Sequence, residues 1–266
     1  MTDPILYEAR DHIAILTLNR PEKLNPISAP DMIEALLAML DRLEHDHSVR
    51  VAIITGAGKG FSSGGDVRKM DGKSGINDVK AVRTRHLYRH GIQRLPRAFA
   101  ALEVPVIAAV NGPAYGAGFD LTCMCDLRIA SQSAVFAESF VKLGLVAGDG
   151  GSWLLPRVIG FSKACEMALT GDPISADEAL ACGLVSKVVP DSELMSEALK
   201  LAARIATNPP YAVRMTKRLL WEGREMSLAA LLDLAGSMQS LMHLTEDHLD
   251  AVQAFVEKRK PIVTGD

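Results

Sequence analysis

The chain has 266 residues, 48% of them hydrophobic and 23% charged, which suffices for one large domain or a core with an appendage. A formal net charge of −3 advertises no basic face for nucleic acid, and no apolar run reaches the ~18 residues of a membrane span. Residues 1–12 show neither a signal-peptide nor a presequence pattern. Four cysteines without a CxxC pair (Cys123, Cys125, Cys165, Cys182) read as reduced thiols, so a soluble cytoplasmic protein is expected.

In chain order, residues 5–8 and 12–18 predict a β-hairpin, and residues 19–26 (NRPEKLNP) a loop broken by two prolines. Ser28 with Asp31 three residues on marks a helix start, and Ile33, Leu36, Leu37, Leu40 and Leu43 then keep the helical period. Residues 51–55 form a strand that feeds a glycine loop, GAGKGFSSGGD, over 56–66. The polar stretch 70–77 is expected to act as a lid, followed by one long helix over 79–101. The apolar run 104–110 (VPVIAAV) reads as a buried strand and feeds a second small-residue loop, NGPAYGAG, and a helix over 116–124. Short strands follow at 126–130 and 134–137, with another at 185–189. Helical patterns cover 160–170, 175–181 and 191–207, and further helices start at Pro209-Pro210, Ser227 and Thr245. The apolar faces of these last helices fit packing within one chain and a subunit interface equally well.

The two glycine loops carry the chemistry. A strand leading into a glycine-rich turn and a helix N-terminus leaves N–H groups aimed at one spot, which favours negative charge. Two such loops, each giving one main-chain N–H, have the layout of an oxyanion hole. Asp120 lies three residues after Ala117, about one helical turn on, and brings a carboxylate to the same place.

Shorter motifs carry less. Residues 60–64 (GFSSG) match the nucleophile elbow GxSxG and would make Ser62 a serine-hydrolase nucleophile. Too few strands precede it for that fold. A dinucleotide fingerprint from Gly56 fails at Phe61, and a P-loop ending at Gly72 fails at Val67. His86 and His90 share a helical face, but Leu87 follows His86 where HExxH needs Glu, so they read as solvated side chains.

Taken together, FSSGGD at 61–66, NGPAYGAG about 45 residues later at 111–118, and CDLRIA at 125–130 resemble the crotonase superfamily, the enoyl-CoA hydratase/isomerase family. The resemblance covers nearly the whole chain. It implies an α/β fold: a crotonase-like spiral of ββα turns over residues 1–200 and a helical C-terminal trimerisation region over 201–266, giving a homotrimer or homohexamer. It implies an acyl-CoA thioester as partner, with CoA part of the substrate and no other cofactor or metal. The carbonyl oxygen would sit between the N–H groups of Ser62 and Ala117. CoA and acyl group would lie along Lys23, Leu24, Ser62, Ser63, Gly64, Gly65, Asp66, Gly116 and Phe140, with Phe255 and Lys258 of a neighbouring subunit touching the adenine and phosphate. Two fixed donors on an enolate oxygen lower the barrier to α-proton loss by about 3–4 kcal/mol each, and a carboxylate then moves the proton.

One departure from the family matters. Hydratases of simple enoyl-CoAs resemble one another in two glutamates. The first falls at Asp120, whose side chain is ~1.5 Å shorter, and the second at Phe140, which moves no proton. Glu138 is two residues off and receives no role. Asp149 opens a helical stretch in a turn from which several isomerases and a dehalogenase of the family use an aspartate, there aligned with Gly148. It is read either as an acid–base or as an N-cap. Asp120 and Asp149 are therefore the catalytic candidates, for isomerisation, hydration or lysis rather than two-glutamate hydration. A CoA-thioester-binding protein with little turnover is the competing expectation.

Overall fold

A hairpin opens the chain. β1 (Ile5–Arg10) pairs antiparallel with β2 (Ile13–Leu18), and Asp11 and His12 take the positive φ of a two-residue turn, 50° and 66°. The computed structural model describes residues 3–66 and 81–265; the stretch 70–77, expected as a lid, lies outside them, as do residues 79–80 of the expected long helix.

After the hairpin the main sheet is parallel. β3 (Val51–Gly56), β4 (Val106–Val110), β6 (Leu127–Ser131) and β9 (Lys187–Val189) complete the order β1-β2-β3-β4-β6-β9. A small second sheet holds β5 (Ala114–Tyr115), β7 (Val135–Ala137) and β8 (Ile174–Ser175). The helices are α1 (Pro30–His45), α2 (Ala81–His90), α3 (Arg94–Ala101), α4 (Ala117–Met124), α5 (Gly151–Ile159), α6 (Phe161–Thr170), α7 (Ala176–Ala181), α8 (Leu194–Ala206), α9 (Pro210–Glu222), α10 (Leu228–Met242) and α11 (Glu246–Glu257).

Three sequence expectations change. The single helix over 79–101 is two helices, parted across residues 91–93. Gly91 sits there with its α-carbon too close to the Leu87 carbonyl for a Cβ, which would lie 2.6 Å from that oxygen. α1 starts at Pro30 behind Ala29, with no side-chain cap, because proline suits the first helical position; Asp31 pairs with Arg20 instead. β5 and β8, of two residues each, carry no readable periodicity.

The small sheet sets the logic of the site. Two successive turns of the spiral each give one strand to the main sheet and one to the small sheet, then a helix. β4, β5 and α4 make one turn; β6, β7 and α5 make the next. Ser62, after β3, joins the small sheet through a parallel bridge to Ala114, and β5 pairs with β7 through Ala114–Phe136 and Tyr115–Ala137. The residues that follow these three segments are therefore stacked: the 63–66 loop, then Gly116, then Glu138.

β3 and β4 are buried along their whole length. α8 covers one face of the main sheet with Leu194, Ala198, Ala202 and Ala206, four-residue spacing that puts small side chains on one stripe against Ile53, Ile107 and Ile129. The expected division after residue 200 thus falls inside a helix whose two halves share one contact. α9 returns to the body: Lys217 Nζ donates to the Val104 carbonyl at 2.8 Å and lies 2.9 Å from the Asp126 carboxylate. α10 buries none of its residues within the chain, and Leu228, Leu232, Leu249 and Phe255 are exposed. Among the described residues no helix is long and apolar enough to cross a membrane.

Candidate active site

The proline-broken loop at 19–26 pins the first glycine loop. Asn25 is fully buried at φ 53°; its Nδ2 donates to the carbonyls of Ala57 and Gly60, both at 2.9 Å, and its Oδ1 accepts from the Arg20 amide at 2.8 Å. The Ser63 amide donates to the Leu24 carbonyl at 2.7 Å and Ser63 Oγ to the Lys23 carbonyl at 3.1 Å. The Gly64 carbonyl accepts from Ile27 at 2.8 Å and Ser28 at 3.1 Å. Sequence reading placed Lys23 and Leu24 at the site but missed Asn25, whose signal was a polar residue between prolines facing the loop it braces.

The two loops meet. A Cβ on Gly64, at φ 75°, would lie 2.4 Å from the Tyr115 carbonyl oxygen and 2.8 Å from the Ala117 nitrogen; one on Gly118 would lie 2.4 Å from the Ser62 carbonyl oxygen. Only glycine permits both approaches. The Ser62 assignment needs correcting, however. Its N–H donates to the Pro113 carbonyl at 3.1 Å, its Oγ donates to the Asn25 carbonyl at 2.7 Å, and its side chain is fully buried. Ser62 is a fastening between the loops, with neither amide nor hydroxyl turned to a ligand. The nucleophile-elbow reading loses its footing for the same reason. Among the described residues, the N–H groups of Gly65 and of Ala117, which opens α4, have no acceptor. Ser63, Gly65 and Asp66 are partly exposed beside them, and the Phe140 ring stands 3.5 Å from where a Gly116 Cβ would be, so it covers that glycine.

Beneath the loops three carboxyls converge. Asp120 comes from the first turn of α4, Glu138 from the residue after β7, and Asp149 from the turn before α5. All three are buried, and each has one oxygen with no hydrogen-bond partner: Asp120 Oδ1, Glu138 Oε2 and Asp149 Oδ1. Gly151 lets them gather, since a Cβ there would lie 2.2 Å from Asp120 Oδ1 and 2.4 Å from Glu138 Oε1. Its amide donates to Asp120 Oδ2 at 3.2 Å. The N-cap of α5 is Gly150, which leaves Asp149 uninvolved in capping and removes that reading of it. Glu138 is the residue that sequence reading missed; its position follows only from the stacking of β7 on β5.

Electrostatics sets the protonation of this group. Two helix N-termini, of α4 and α5, favour an ionised Asp120. Burial wins over them: it pushes the Asp120 carboxyl well above the usual range, and the charges of Asp149 and Glu138 push it further. Burial raises Glu138 to about 7, and it raises Asp149 against the hydrogen bond that Asp120 offers it. Three buried acids cannot all ionise, so the cluster holds a proton at neutral pH and titrates as one unit.

Phe255 and Lys258 lie apart from this arrangement within the chain, on the exposed face and at the C-cap of α11.

Comparison with known proteins places the whole chain in one family. Residues 8–265 match the family model described as enoyl-CoA hydratase/isomerase. A Mycobacterium bovis protein named probable enoyl-CoA hydratase echA12 is 42% identical, over 98% of this chain and 93% of its own length. The 1,2-epoxyphenylacetyl-CoA isomerase of Escherichia coli is 38% identical over the full length of both. The crystal structure of an enoyl-CoA hydratase from Bacillus anthracis superposes with a TM-score of 0.91 at 35% identity, covering 99% of this chain and 100% of that one. The two stacked glycine loops, the ββα spiral and the full-length matches lead to one conclusion: the chain is an enzyme of the enoyl-CoA hydratase/isomerase family, within the crotonase superfamily.

Proposed function

We propose that the protein moves a proton on an acyl-CoA thioester, in the manner of a double-bond isomerase rather than a two-glutamate hydratase. The observation that carries this reading is the buried trio Asp120, Glu138 and Asp149, with one unpartnered oxygen on each, packed under two loops with free main-chain N–H groups. The N–H groups of Gly65 and Ala117 hold the thioester oxygen. An ionised carboxyl of the trio takes the α-proton, the electron pair of the C–H bond moves into an enolate on that oxygen, and the same cluster returns the proton at the γ-carbon. No water has to be activated. Glu138, at about 7, can both accept and give a proton near neutral pH. Phe140, where the second hydratase glutamate would align, supplies an apolar wall. CoA enters as part of the substrate along Lys23, Leu24 and residues 63–66. The exposed apolar α10 and α11 bind a second and third copy, which brings Phe255 and Lys258 to a neighbour's CoA. Relatives of both kinds occur, a 1,2-epoxyphenylacetyl-CoA isomerase in Escherichia coli and a short-chain-enoyl-CoA hydratase in Clostridium acetobutylicum.

The test is a rate comparison on trans-3-hexenoyl-CoA and crotonyl-CoA. The expected result is conversion of the first to its conjugated isomer and slow or absent hydration of the second. Hydration of crotonyl-CoA at the rate of a two-glutamate hydratase would overturn the isomerase reading.

A further inference from the structure

α2 and α3 carry an unbalanced set of cations. Arg94 pairs with Glu34, but Arg85, Arg89 and Arg97 make no ion pair among the described residues. These three line one cavity of about 570 Å³, which Leu145, Val146 and Gly148 line as well. Guanidinium groups without a partner around a concavity focus a positive field into it.

That cavity is fixed to the carboxyl cluster. Gln93 Nε2 donates to the Gly148 carbonyl at 2.6 Å, and the Tyr88 ring packs on Gly148, 3.0 Å from where a Cβ would stand. Asp149 is the next residue. A chain that leaves the thioester and passes Asp149 therefore reaches a space lined by both aliphatic side chains and arginines. Lys23, Leu24 and residues 62–66, where the CoA end belongs, do not line it.

We propose that this cavity receives the far end of the acyl group and selects a chain that ends in a carboxylate, so that the substrate class is a dicarboxylic acyl-CoA thioester. The methylenes lie along Leu145 and Val146, and the terminal carboxylate meets one or two of the planar guanidinium forks, which match its geometry. The inference rests on the acyl-CoA reading above.

Calorimetric titration of the full chain with octanoyl-CoA and suberoyl-CoA, equal in length and differing at the far end, tests it. The expected result is about tenfold tighter binding of suberoyl-CoA, the scale of one charge-assisted contact. In Arg85→Gln/Arg89→Gln/Arg97→Gln that preference should vanish while octanoyl-CoA binds within about twofold of the unaltered protein, a margin well below one such contact. Equal affinity for the two ligands, or a preference that survives the triple substitution, overturns the inference and leaves the acyl-CoA reading intact. Failure of both ligands to bind overturns the two together.

Discussion

The glycine loops and the carboxyl cluster both meet the start of α4, and they are built from different material. The loops work through main chain. Their side chains are absent or turned inward to hold the backbone, as Asn25 and Ser62 do. The cluster works through side chains from three elements, and main chain only makes room for it at Gly151. A main-chain site needs glycines at fixed places, so it leaves a local mark in the sequence. A side-chain site assembled by the spiral leaves its members 18 and 11 residues apart along the chain, with no motif to join them. The comparison also separates rigidity from charge. The loops are braced to each other and to residues 20–28 by hydrogen bonds, whereas the cluster keeps an oxygen unpaired on each acid, a costly arrangement for buried polar groups.

The largest effect should come from the loop side. In Gly64→Ala the new methyl would need to occupy space 2.8 Å from the Ala117 nitrogen, in a backbone conformation that L side chains rarely adopt. Turnover of trans-3-hexenoyl-CoA should fall by about 10³ or more, the effect of losing an oxyanion donor. Circular dichroism should show the fold retained, and near-normal turnover would mean that the loops do not bear on the chemistry. Next is the cluster. Glu138→Gln should lower kcat by about 10²–10³ and remove the ionisation near pH 7 from the rate profile. A profile that keeps this ionisation would take Glu138 out of the proton path. Asp149→Asn should lower kcat by a similar factor, against the unchanged rate that a purely structural residue would give.

The cluster should also be visible in stability. Glu138 binds its proton up to about 7 in the fold against an ordinary 4.5 when unfolded, and Asp120 and Asp149 are raised as well. The native state then holds more protons than the unfolded chain, so stability falls as pH rises from about 4 through about 7. Asp120→Asn removes one of the competing charges and should flatten the decline in urea-unfolding curves recorded from pH 5 to 8. An unchanged slope would show that the three acids do not share a site. The smallest effect on rate belongs to Ser62→Ala. It should leave turnover within about tenfold while costing about 1–3 kcal/mol, because the Asn25 carbonyl and the Gly64 amide lose their partner. A fluorophosphonate should leave Ser62 unlabelled.

Much of the fold was legible in the sequence because long elements carry periodicity: the hairpin, β3, β4, α1 and α8 all lie within a few residues of their expected places. Of the small sheet only β7 was, at 134–137, since the two-residue strands β5 and β8 have no period. That omission hid Glu138. Without β5 to pair with β7 nothing shows that Gly116 and Glu138 occupy equivalent places in successive turns, and Phe140, aligned by family habit, drew attention two residues downstream. The oxyanion loop was legible as a loop, but which of its amides is free depended on hydrogen bonds to Pro113 and Leu24 that no spacing encodes.

The most direct test of the central claim follows the α-proton itself. The protein is incubated with trans-3-hexenoyl-CoA in D₂O and the thioester is followed by proton NMR. Loss of the α-proton signal is expected together with formation of the conjugated thioester, both suppressed in Glu138→Gln and Asp120→Asn. Tight binding of the thioester with its α-protons unexchanged would contradict the account and mark the chain as a binder of CoA thioesters without turnover.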